Sequence, residues 1–227
     1  MHREIDRGEI MYQEFTQELK NLIETTQQNI HTVLPGKIVK FDTDKQRAQV
    51  SPTAKFLKPD GTKIDYPDIF EVPVFFIQGF GQKAIITHAV KPDDECLLFF
   101  FEQSLDQWRT KAESETDLRF DISNAVAVAG FFAEPNPHIK RACENESIII
   151  QLNDTFVELS ADKIEIHTDG DVCEEAAINI NIKAGANITV EAAGNVGVTA
   201  NSVAVSANSV NVSGSSVNVS GSTINLN

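Results

Sequence analysis

Long apolar runs are missing from this 227-residue chain. No stretch approaches the roughly 20 residues that a bilayer-spanning helix needs. The opening residues, MHREIDRGEI, are charged where a secretory leader would be apolar, so synthesis in a bacterial host cytoplasm is expected. Basic residues are scarce as well: 19 Lys and Arg stand against 33 Asp and Glu, a formal charge of −14. Nucleic-acid affinity rests on neutralising phosphates, so this balance excludes DNA and RNA as expected partners. Cysteine is limited to Cys96, Cys143 and Cys173. An odd number without a C-x-x-C pair speaks against a disulfide framework and a zinc site, and leaves them as small core or surface residues. Nucleophile elbow, phosphate-binding loop and H-E-x-x-H are all absent. The acids Asp93, Asp94 and Glu95 read as a solvated turn, and the segment from His167 to Asp171 as an exposed loop. The chain is therefore expected not to be an enzyme, with no catalytic residue, cofactor or metal.

What is there changes along the chain. Residues 1–34 hold 6 acids and 3 bases, and residues 35–146 hold 18 and 14, a mixed globular surface. Residues 147–175 hold 8 acids and only Lys163, and residues 176–227 carry just Lys183 and Glu191 in a background of Asn, Ser, Gly, Ala, Val and Ile. Three territories follow, 1–34, 35–146 and 147–227, with the second boundary marked by Pro135 and Pro137. In the first, Phe15, Leu19, Leu22, Ile23, Ile30 and Val33 recur at three- and four-residue intervals, which predicts an amphipathic helix stopped by Pro35 and Gly36. Such a helix either lies on its own domain or serves self-association or a partner.

The second territory alternates short apolar runs with turn residues: KIVKFD, RAQVSP, VPVFFIQ, KAIITHAV, ECLLFFF and NAVAVAG. Five or six short strands in about 100 residues predict a small closed barrel of the OB type. Phe75, Phe76, Phe99, Phe100 and Phe101 are expected in its core, since the acidic balance disfavours a base-stacking role.

The third territory ends in near-copies of one unit, NSVAVSA, NSVNVSG, SSVNVSG and STINLN. Each carries two apolar residues two positions apart, which face one side of a strand: Val203 and Val205, Val210 and Val212, Val217 and Val219, Ile224 and Leu226. The pattern runs backwards through Val196 and Val198, Ile188 and Val190, Ile180 and Ile182, Ile164 and Ile166, Val157 and Leu159, to Ile148 and Ile150. A flexible Ser/Gly linker has no reason to hold that register for so long, so a β-solenoid is predicted. One unit is a strand and a corner, and three make a coil. A single chain would build a stub of roughly 15 to 20 Å, and three intertwined chains a needle on the order of 50 Å, at the ~4.8 Å strand spacing. A homotrimer is expected, with Val196, Val198, Val203, Val205, Val210, Val212, Val217, Val219, Ile224 and Leu226 as its core.

The run from VPVFFIQG through VKPDDECLLFFFEQSLDQW to RFDISNAVAVAGFF, Val72 to Phe132, resembles the N-terminal OB domain of phage baseplate spike proteins. Two departures stand out: Asp94 where that group has glycine, and Gln103 where it has a basic residue. The resemblance implies an all-β protein with a short N-terminal helix, an OB-type barrel and a trimeric, triple-stranded β-helix. It implies a membrane-piercing needle in a tail baseplate, held by hub or tail-tube proteins at its N-terminal end and aimed at the bacterial envelope. Alternatives are a trimeric receptor-binding or tail-fibre protein, or a carbohydrate-binding OB module. Several spikes of this kind close their apex with iron held by H-x-H pairs. Here the last histidine is His167, and the blunt end made by Thr223, Ile224, Asn225, Leu226 and Asn227 would instead expose strand edges, which predicts a separate small tip protein docked there.

Overall fold

The computed structural model describes residues 7–28, 30–58, 60–111 and 118–225. Rich in Glu and Gln, the first segment forms helix α1, Arg7–Gln28. The helix ends earlier than its apolar spacing predicts. Beyond it the His31 amide donates to Phe120 O (3.0 Å) and the Phe100 amide to Thr32 O (3.0 Å), so the backbone is captured by a sheet. Ile30 therefore lies outside the helix and Val33 opens a strand, in which Pro35 and Gly36 sit as members and not as helix stops.

The strands are β1 (Val33–Asp42), β2 (Arg47–Pro52), β3 (Lys55–Leu57), β4 (Lys63–Asp65), β5 (Ile69–Pro73), β6 (Ile77–Gly79), β7 (Ala84–Ile86), β8 (Glu95–Phe100) and β9 (Ala125–Ala129), with the short helix α2 (Asp106–Thr110) before β9. Five of them make an antiparallel sheet in the order β5-β2-β1-β8-β9. A register shift between Ile38 and Lys40 bends β1, so that the sheet curls into a half-barrel. Its two edges meet at one parallel bridge, Val74 to Ala127, sealed by the Phe75 amide donating to Ala127 O (2.8 Å). The other pairs, β3 with β4 and β6 with β7, are separate hairpins.

Alternation along the strands fills the concave side with Ile38, Val50, Val72, Cys96 and Leu98. Each large aliphatic there contributes about 1.5–3 kcal/mol by burial. Burial also pushes the Cys96 thiol up to about 11. Gly36 is required where β1 crosses this core: a Cβ would stand 2.9 Å from Val50 Cγ1 and 3.1 Å from Leu98 Cδ1.

After the prolines comes α3 (Pro137–Glu144), capped by Asn136, whose side chain accepts from the His138 amide. Then β10 (Ile148–Leu152), β11 (Thr155–Leu159) and β12 (Ile164–His167) form a three-stranded antiparallel meander. Asn153, at φ 52, turns the first hairpin. The third territory thus divides: the first compact unit runs to Asp169 and a second spans Gly170–Asn227. Residues 148–167 carry the same apolar pairing as the tail yet find their strand partners within one chain. No described helix is long and apolar enough to cross a membrane.

Candidate functional site: unpaired apolar faces

Three apolar surfaces among the described residues stand out first. The first lies beside the barrel seam. In β8, Leu98 and Phe100 point inward, so Phe99 points out, and Phe101, just past the end of the strand, is exposed as well. Phe100 is buried and Phe76 packs against the core, as expected of them, but Phe75, Phe99 and Phe101 are exposed, which corrects their assignment to the core. Val74, Phe75, Phe101, Leu105, Trp108 and Val126 line an open cleft of about 360 Å³. Trp108 is 65% exposed. One residue that sequence reasoning passed over holds this wall in place. Asn124, 2% exposed, donates through Nδ2 to the carbonyls of Phe101 (3.2 Å), Gln103 (2.7 Å) and Leu118 (3.0 Å), and accepts the Leu105 amide at Oδ1 (2.9 Å). One buried amide thereby fixes the loop that carries Leu105 and Trp108. Next to Trp108, Arg109 Nε and Nη2 are buried without a hydrogen-bond partner. Desolvation, with the charge of Arg47, holds its pKa below the usual arginine value.

The second surface is one face of the meander. Cross-strand pairing puts Ile148, Leu159 and Ile164 in one row and Ile150, Val157 and Ile166 in the next. All but the half-buried Val157 are exposed. The opposite face is already occupied. There Glu158, 7% exposed, accepts from Arg141, from Asn145 Nδ2 (3.0 Å) and from Ser147 Oγ (2.7 Å), while the Arg141 guanidinium lies 4.2 Å over the Phe156 ring. These hydrogen bonds, those of Asn145 and Ser147 foremost, hold the Glu158 carboxyl below its ordinary pKa. They bolt α3 to the sheet and leave the aliphatic face bare.

The third is the tail. Between 171 and 225 the described backbone joins no strand ladder, and it bends at 177–178, 185–186, 193–194, Asn201, Asn208, Ser215 and Ser222. One bend falls in each repeat unit. Of the expected core residues, Val196, Val203, Val210, Val217 and Ile224 are between 48% and 62% exposed, and Val198, Val205, Val212 and Val219 between 69% and 73%. The two members of each described pair thus repeat nearly the same exposure from unit to unit. Thr223 and Asn225 are exposed at the end of the described chain, whereas Leu226 and Asn227, expected in the core and at the tip, lie outside the described residues.

The acids read as a turn are each engaged. Asp93 pairs with Lys37 (3.6 Å), Asp94 Oδ2 accepts the Lys91 amide (2.8 Å), and Glu95 Oε2 accepts the Ala133 amide (2.6 Å). Asp93, at φ 75, holds the left-handed position, so the conformation glycine favours falls there and not at Asp94. His167 stacks on Phe156 at 5.2 Å. Among the described residues, no group of three or more His, Cys, Asp or Glu side chains is placed to hold a metal ion.

Sequence, sheet and exposed faces together define a mostly β protein with a short N-terminal helix and a barrel-like sheet. Residues 34–130 match the family described as phage protein Gp138 N-terminal domain. The match begins in β1 and ends just past β9, so it covers the curled sheet and excludes α1, the meander and the tail. It supports a phage protein family, and with it a structural component of the virion. No curated protein matches the chain.

Proposed function

We propose that this protein is the central spike of a contractile phage tail or phage-like injection device, a homotrimeric needle that pierces the bacterial envelope. The observation that carries the proposal is the tail: one bend per unit, both apolar residues of each fully described pair exposed, and no strand ladder among the described residues 171–225. Backbone donors and acceptors in such a strand need partners, and a second and third copy supply them around a dry core. The curled five-stranded sheet then serves as the OB-type barrel at the head of the shaft, in strand order and in its near-closure at Val74 and Ala127. The apolar rows of the meander would meet their counterparts in the other copies in the same way. Function is mechanical: sheath contraction drives a stiff shaft. In the baseplate, hub or tail-tube proteins hold the end that carries α1, whose described side chains are exposed apart from the half-buried Thr16. A small tip protein covers the far end. Light scattering of the purified chain should give about 75 kDa, three times 25.0 kDa, unchanged on dilution. A stable monomer overturns the proposal.

The exposed aromatic cleft favours a second reading. Phe101 and Trp108 beside an OB-like sheet are the kind of surface on which a trimeric receptor-binding protein or a carbohydrate-binding module would stack a sugar ring. Glycan-array binding abolished by Trp108→Ala would favour it over the spike.

A further inference from the structure

The hairpin of β6 and β7 is an apolar arm. Its strands pair Ile77 with Ile86, Gln78 with Ile85 and Gly79 with Ala84. Ile77, Ile85 and Ile86 are exposed, and Phe80 at the tip is 81% exposed, more than any other described aromatic residue. An isolated two-stranded hairpin is marginal in water, so an arm with four large apolar residues on its surface calls for something to pack on. The tip adds strain. Phe80, Gly81 and Gln82 have φ of 50, 61 and 67, a left-handed run that a bulky side chain disfavours. It holds the Phe80 ring outward with the Lys83 ammonium 5.4 Å from its centre.

The aromatic cleft begins where this arm leaves the barrel, because Phe75, Phe76 and Gln78 line it. Yet the arm's own tip, with its ring exposed, does not fill it. We infer that the β6–β7 arm of one copy seats Phe80 in the cleft of a second copy, a head-to-tail contact that closes around three chains. The inference rests on the trimeric reading above. Three features favour this occupant. Knob and hole are both aromatic and lie on the same domain, so a ring of three satisfies every copy and leaves no open end. Charge is compatible: Lys83 travels with Phe80, and the segment from Phe101 to Arg109, which supplies Phe101, Leu105 and Trp108 to the cleft, carries Glu102 and Asp106 against Arg109 alone. An arm of two three-residue strands is also a small contact, which suits chains already tethered by a shared shaft.

Trp108 is the single tryptophan of the chain, a built-in reporter of the cleft. In the full-length protein its emission should be that of a sheltered indole, poorly quenched by acrylamide. Phe80→Ala should red-shift the emission and raise quenching several-fold while light scattering still finds three chains. Phe80→p-benzoylphenylalanine, irradiated in a mixture of isotopically light and heavy chains, should cross-link between chains to the peptide carrying Phe101 and Trp108. A trimer with Trp108 fully quenchable overturns the inference and leaves the trimer standing. So does a trimer in which Phe80→Ala changes nothing but Phe15→Ala exposes Trp108, which would make α1 the occupant. A monomer removes the reading beneath it.

Discussion

The barrel and the tail are written in the same alternating pattern and differ in whether the chain itself supplies the other half of each interaction. In the barrel, Ile38, Val50 and Leu98 close on one another within one chain. In the tail, Val203, Val210 and Val217 stay more than half exposed, unit after unit. The meander stands between them: its strands pair internally, but the face bearing Ile148, Ile150, Ile164 and Ile166 stays open. Alternation therefore specifies that a side is to be buried, and leaves open which chain does the burying.

The hardest blow to this contrast is a charge on the tail's apolar side. Val212→Asp would place three carboxylates in one layer of a trimer, each costing several kcal/mol, and should abolish assembly while the barrel's own melting stays unchanged. Asn211→Asp, one residue away on the other side, should assemble normally. Light scattering of the two variants decides, and equal behaviour would erase the distinction between the faces.

The converse test strikes the barrel. Leu98→Ala should cost about 2–5 kcal/mol in the unfolding of that domain, read by denaturant titration, and leave the native mass alone. A change of mass with no loss of barrel stability would mean that the barrel, too, depends on other chains.

Asn124→Ala sharpens the picture of the cleft. It removes four side-chain hydrogen bonds to the backbone, which should destabilise the domain by roughly 1–3 kcal/mol and loosen the loop, seen as altered Trp108 fluorescence anisotropy.

The smallest effect is expected at the junction of α3 with the meander. Because hydrogen bonding lowers the Glu158 pKa in the folded state, its contribution is complete above the ordinary glutamate value of 4.5 and is lost as the pH falls through the lowered folded value. Thermal melts from neutral to acid pH should show that loss in the native chain, and Glu158→Gln should flatten it.

Much of the curled sheet could be read in advance, because KIVKFD, RAQVSP, ECLLFFF and NAVAVAG carry the period of a half-buried strand and became β1, β2, β8 and β9. The cleft could not. Phe99, Phe100 and Phe101 read as one greasy run, and only the register set by Cys96 and Leu98 sends the middle ring in and its neighbours out. Nor does the pairing of Ile164 with Ile166 look any different from that of Val203 with Val205, although the first belongs to an intrachain ladder. The end of α1 went unseen because Ile30 keeps the helical spacing while the chain beyond it is already hydrogen-bonded to the barrel. Asn124 gave no signal at all: a single amide in a turn shows its importance only through the four backbone groups brought to it from elsewhere.

The bends of the tail also keep a count. From 178 through 186 to 194 they fall eight residues apart, and from Asn201 through Asn208 and Ser215 to Ser222 they fall seven apart. In a three-walled shaft each interval is the length of one wall, so dropping one residue shortens every side by about 3.3 Å. The cross-section would step down partway along, from a broader root to a narrower forward section. In the spike proposed above, such a taper would concentrate the thrust of contraction on a smaller area of envelope, at the loss of a single residue per wall.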